Sequence, residues 1–410
     1  MAKRTGTAVL AAISMLLAAC ASTPASDPST SLGDDRRTAT VSPSVDTDAV
    51  SAATGDATQQ VVLQRLAENP DANVVLSPAG LQTTMAMVAP GVEEGSPEAA
   101  ELEAFLGTPI ADTTAGYRML IDNQEAKSDD DTEVRIETAW GIVEGSSVPI
   151  DIDVVGTAAQ TLDSYVAQGT PDVLQPALDA WVSDATKDLV PELPAQINSD
   201  ASLVLVSALY TEATWLNDAG ETTIAFTRAD GSTEDADAIV LEGQAYETEE
   251  GTVAALSLSG DLVFQVYMPA DGSLGETESV PWELLDQDGD LSRTVKVPEF
   301  SLDSTDSLEE ELETLGLGSL TSGEGITGFT TTGDPIKPQM IEQRTVFDLD
   351  DEGIEAASVT QVPLEAGADP GAATTAQPPV VFDHPFVFRV IDEESGWVLY
   401  FGAVVNPEDD

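Results

Sequence analysis

The chain has 410 residues, 42% of them hydrophobic, and sets 74 acidic side chains against 15 basic ones for a formal net charge of −59. Length and apolar content provide for a sizeable core, in one large domain or two ordinary ones. The charge excludes nucleic acid as a partner, because phosphates need a basic patch, and speaks against electrostatic docking on anionic lipid; it reads as a solvated surface that resists aggregation or is adapted to salt.

In chain order, Lys3 and Arg4 precede an apolar run at 7–19 that is too short to span a bilayer as a helix. The run closes on LAAC at 17–20, which resembles a bacterial lipobox. The resemblance implies a signal peptide at 1–19, a lipid on Cys20, and a place on the extracytoplasmic face of the bacterial cell membrane. An ordinary secretory leader with an incidental cysteine is the alternative. Cys20 is the only cysteine, so no disulfide can form within the chain. Residues 20–57, rich in Ser, Thr, Ala, Pro and Asp, cannot bury enough surface to offset their ordering entropy and are expected to be a disordered tether. The folded part is expected over 58–410.

From Ala57 the apolar spacing turns helical, with Val61, Val62 and Leu66 on one face. In NVVLSPAGLQTTMAMVAPG (73–91) a short strand meets Ser77-Pro78, and proline suits a first helical turn. Ser96-Pro97 opens another helix, closed by Gly107, and 133–145 alternates as a strand. Residues 151–168 and 173–190 read as helices. ASLVLVSALYTEATW (201–215) carries the continuous apolar run LVLV, expected of a strand buried on both faces. The second half reads mostly as strands, interrupted by a helix over 307–320. Helices first and strands later predict an α+β domain with large mixed sheets.

Six segments, in order, resemble the serpin family: NVVLSPAGLQTTMAMV, LDAWVSDATKDLVPELP, LVLVSALYTEATW, KVPEFSLDSTDSLEEELETLGL, VFDLDDEGIEAASVT and VVFDHPFVFRV, followed by GAVVNP at 402–407. The resemblance covers nearly all of 58–408. It implies the serpin fold, with about eight or nine helices and an exposed reactive loop over about 353–379. It also implies a suicide-type inhibitor of extracellular serine proteases: a monomer, without cofactor or metal, that traps the protease as a covalent acyl-enzyme while the cut loop inserts as a strand.

The hinge, Gly353, Ile354, Glu355, Ala356, Ala357, Ser358, Val359 and Thr360, fits insertion on its own chemistry. Alternate residues face opposite sides. Ile354, Ala356, Ser358 and Thr360 form one uncharged set fit for burial, while Glu355, Ala357, Val359 and Gln361 form the other, on which Glu355 can stay wet. Gly353 supplies a bend. A plain Ala/Ser linker is the alternative. The family departs here in Ile354, where Thr is usual, and in Pro363, which removes a ladder hydrogen bond. At the polar positions that govern sheet opening the chain has Ser77, Gly80, Ser207 and Gln343, and Trp215 matches the tryptophan at the loop's entry. Counting from the hinge puts the reactive bond at Gly367–Ala368, within a window from Leu364 to Ala373. No Lys or Arg occurs between Arg344 and Arg389, which excludes trypsin-like targets and suits elastase-like or subtilisin-like ones.

A hydrolase triad would have to use His384, the only histidine. The acidic stretch 286–293 has Gly289 too early for an EF-hand. The alternative function is a non-inhibitory serpin-fold binding protein or decoy on the cell surface.

Overall fold

The computed structural model describes residues 47–408, except 130, 275–276, 278, 287–291, 310, 338–340 and 358–377. Cys20, most of the expected tether, the last three hinge positions (Ser358, Val359 and Thr360) and the window around Gly367–Ala368 lie outside the described residues.

The first helix, α1 (Thr47–Glu68), starts ahead of Ala57, inside the segment expected to be a tether, and Val50 is already buried. Strand β1 (Val74–Leu76) leads into α2 (Pro78–Val88), whose cap is Ser77: its hydroxyl accepts from the Gly80 N–H at 3.0 Å. Helix α3 (Pro97–Leu106) has its cap at Ser96 and ends at Gly107, which is left-handed at φ 64°. Then follow α4 (Thr113–Glu125), β2 (Thr132–Val143), α5 (Ile152–Leu162), β3 (Tyr165–Gly169), α6 (Pro171–Ala185) and β4 (Leu203–Thr214). The helix expected across 151–168 is therefore cut short. Asp163 turns left-handed, and Tyr165 and Val166, both good strand formers, pair in parallel with β2.

The second half contains β5 (Gly220–Thr227), β6 (Thr233–Glu247), β7 (Gly251–Ser257), β8 (Leu262–Pro269), β9 (Ser292–Pro298), β10 (Phe300–Ser307), α7 (Ser319–Ser322), β11 (Glu342–Leu349), β12 (Gly353–Ala357), β13 (Val380–Val381), β14 (Phe386–Asp392) and β15 (Val398–Val404). Among the described residues there are seven α-helices rather than eight or nine. The helix expected over 307–320 is mostly turns. Arg65 holds both Asp306 and Glu311, keeping β10 extended through Ser307, and Gly316 at φ 75° closes the first turn that does form. Leu308, Leu312 and Leu315 are buried all the same, so their spacing reports the core rather than a helix. The run 380–390 is two strands, parted around Pro385, which has no N–H to donate.

Two sheets organise the molecule. A nine-stranded sheet runs β1-β15-β14-β8-β7-β6-β9-β13, with β5 also on β6, and a six-stranded sheet runs β10-β11-β12-β4-β2-β3. The main core lies between them and the helices. At its centre Phe347 of β11 packs against Phe388 and Tyr400 of the other sheet, with ring centroids 4.7 and 5.6 Å away.

Candidate functional site

Strand β12 is the described part of the hinge, and it is already seated. Its five residues pair on both sides, Ile354 with Leu349 of β11 and Ala213 of β4, and Ala357 with Val346 and Tyr210. Gly353 is required by close approach rather than only by a bend: a Cβ there would stand 2.0 Å from the Ala213 carbonyl oxygen. Ile354 and Ala356 are buried in the main core, where the Tyr400 hydroxyl donates to the Ala356 carbonyl at 3.1 Å.

The opposite face differs from expectation. Ala357 is fully buried, because Leu178 and Val182 of α6, with Val190 and Leu193 beyond it, roof that side. Glu355 is half-buried, and its Oε1 has no hydrogen-bond partner. Desolvation, then the charges of Glu212 and Asp348, push its carboxyl up to about 7.

The loop's root is pinned by Trp215. Its indole N–H donates to the Asp350 carbonyl at 2.9 Å, and its ring stands edge-on to Phe264. This tryptophan serves both core and entry point.

Below Ala357 the sheet parts. Residues 203–209 of β4 pair only with β2, and 342–345 of β11 only with β10. Between these two edges lies a cavity of about 600 Å³, lined by the free edge of β4 and by Leu81, Met85, Ile341 and Gln343 among others. Leu203, Val204, Leu205 and Val206 are consequently half-buried, not covered on both faces as the LVLV run predicts. The sequence provides a central strand whose neighbour is missing.

Ser77, Gly80, Ser207 and Gln343 do converge, at this seam. Gln343 clamps the Ser77 backbone: its Oε1 accepts from the Ser77 N–H at 2.8 Å and its Nε2 donates to the Ser77 carbonyl at 2.9 Å. Ser207 donates to the Gly80 carbonyl at 2.8 Å, and Thr84 shares a hydrogen bond with Ser207 at 2.8 Å. Each bordering strand is thus tied to α2 rather than to the other. Sequence reasoning missed Thr84, although it lies one helical turn after Gly80, and missed Tyr400 and Glu212, which only sheet register brings to the hinge.

His384 Nδ1 pairs with the Asp383 carboxylate at 2.7 Å, and its ring packs over Gly272. Among the described residues no group of His, Cys, Asp and Glu is arranged to hold a metal ion.

The family model "Serpin (serine protease inhibitor)" matches residues 53–407. An uncharacterized serpin-like protein of Methanosarcina mazei is 24% identical over 357 residues, covering 82% of each chain. Among solved structures, Arabidopsis AtSerpin1 in its native stressed conformation superposes with a TM-score of 0.72 at 18% identity, covering 88% of this chain and 99% of its own. Human thyroxine-binding globulin, in complex with its hormone, gives 0.72 at 19% identity over 88% and 100%.

Proposed function

Because the chain belongs to the serpin family, a family of serine protease inhibitors in general, we propose that it is a suicide-type inhibitor of extracellular serine proteases with elastase-like or subtilisin-like preference. The observation that carries this reading is a hinge strand seated at the top of a seam that is empty below it. Extending the β12–β4 register by one residue at a time sets Ser358 opposite Leu209 and Leu364 opposite Leu203, which is the whole free edge of β4. Thr360 then falls opposite both Ser207 and Gln343, on the face where those side chains meet α2. Its hydroxyl is suited to join that polar group.

In the proposed sequence the protease's serine oxygen attacks the carbonyl carbon of a loop bond within 364–373. An ester forms, and the proton passes to the departing amine. The freed strand enters the seam faster than water cleaves the ester, and the protease is carried along with it. Small and aliphatic residues, Leu364, Ala366 and Ala368, supply the recognition, and no basic side chain is offered. A lipid on Cys20 would hold the inhibitor at the outer face of the membrane.

A non-inhibitory binder or decoy is the second reading. It is favoured by the Gln343 clamp, which fastens β11, and by Pro363, which would sit in the inserted strand without an N–H. Mixing the protein with limiting subtilisin separates the two. An SDS-stable covalent complex, with the loop cut within 364–373, is expected. Clean cleavage without a complex would hand the function to the decoy reading.

A further inference from the structure

The register that seats the hinge also lines up four carboxylates. Asp348 of β11 stands opposite Glu355 of β12, Glu355 opposite Glu212 of β4, and Glu212 opposite Glu133 of β2. Residues directly opposite in antiparallel strands share a face, so the four side chains form one row across the sheet. Like charges so placed repel. We propose that this row is a built-in brake on hinge seating, held on at neutral pH and released by acid; the inference rests on the insertion mechanism proposed above.

The surroundings decide how much of the repulsion is neutralised. On β2, Arg135 bonds Glu133 at 3.0 Å. From the turn after α6, Lys187 bonds Glu133 and lies 3.8 Å from Glu212. On β4, Tyr210 donates its hydroxyl to Glu212 at 2.6 Å and carries the Lys187 ammonium over its ring. On β10 the residue opposite Asp348 is Ser301, and Asp303 beyond it is taken by Arg344 of β11 at 2.7 Å. Asp350, past the end of β11, adds a further negative charge near Glu355. Both cations that reach the row therefore gather at its Glu133 end. Glu355, the one member that arrives with the hinge, meets acids on either side and leaves Oε1 without a partner.

The sign follows from linkage. Out of the sheet, Glu355 titrates near the ordinary 4.5; in its seat it titrates near 7. The seated form binds the extra proton, so seating is strongest below about 4.5 and weakens as pH rises through about 7. Above that the brake is fully on. Protons, or a cut that frees the rest of the strand to pull, overcome it.

Hydrogen–deuterium exchange of the full chain, read on the peptide holding residues 354–357 and corrected for the intrinsic pH dependence of exchange, tests this without any protease. Protection in the wild type should rise about tenfold between pH 8 and pH 5, less than the full shift would allow because Glu355 is half exposed to screening water. Glu212→Gln, nearly isosteric, should be protected at pH 8 almost as well as the wild type is in acid. Glu137→Gln removes another carboxylate that burial pushes up, on β2 but opposite Ala208 and outside the row; it should behave as wild type. Unchanged protection of β14 in each variant verifies folding. Wild-type protection that ignores pH, or identical behaviour of the two variants, would overturn the brake. A missing covalent complex alongside an intact pH response would sink the inhibitor reading instead.

Discussion

Ala356 and Ala357 are neighbours that look into different interiors. Ala356 meets the main core, and its carbonyl receives the Tyr400 hydroxyl. Ala357 meets the cluster under α6. Neither pocket offers a counter-charge, so Ala356→Arg and Ala357→Arg should each place an unpaired cation in an apolar space, at a cost of about 3–5 kcal/mol to the seated hinge. Both variants should turn from inhibitor to substrate in a titration against subtilisin, read as the number of inhibitor molecules cut per protease trapped. Glu355→Gln lies between them in sequence yet loses a repelled charge and adds none, so it should trap at least as well as the wild type. An Ala357→Arg protein that inhibits normally would show that the α6 side is open to water after all.

At the scale of the element, the empty seam between β4 and β11 is held open by side chains that satisfy α2 in place of a strand. Filling it should therefore be strongly favourable. Occupying a cavity of about 600 Å³ at about 24 cal/mol per Å³, set against the entropy of ordering a loop, leaves several kcal/mol and a rise in melting temperature of about 10 °C or more on cutting the loop. Calorimetry of cut and uncut protein measures this, and equal melting temperatures would mean that the strand stays out. The two-residue alternation of the hinge and the LVLV run were legible from sequence because burial leaves a period in the side chains. What could not be read there was the missing neighbour of LVLV, since a strand awaiting its partner has the same composition as one that possesses it. The roof over Ala357 and the acids flanking Glu355 depend on register between strands more than a hundred residues apart, Glu212 against Glu355, and no local pattern encodes that. Local signals misled where tertiary contacts won, as at 307–320, where Arg65 holds Asp306 and Glu311 against an otherwise helical spacing.

For the molecule as a whole, the described helices include none long and apolar enough to cross a membrane, which leaves the proposed lipid on Cys20 as the tie to the cell surface. The wild type should pellet with membranes and Cys20→Ala should stay in the supernatant; a Cys20→Ala protein that still pellets would overturn the anchor. The loop itself lies between β12 and β13, so a cut there divides the molecule unevenly: β13, β14 and β15 go with the smaller piece. Yet β14 is flanked by β8 and β15, and β15 by β1 and β14, deep in the nine-stranded sheet. The severed piece therefore has nowhere to go, and the particle stays whole although its backbone is in two. Once melted, however, such a particle can re-form only by a second-order encounter of two separate polypeptides. An uncut chain refolds at a rate independent of dilution, whereas a cut one does not, so each molecule that has fired is assembled once and is spent in the thermodynamic sense as well as the chemical one.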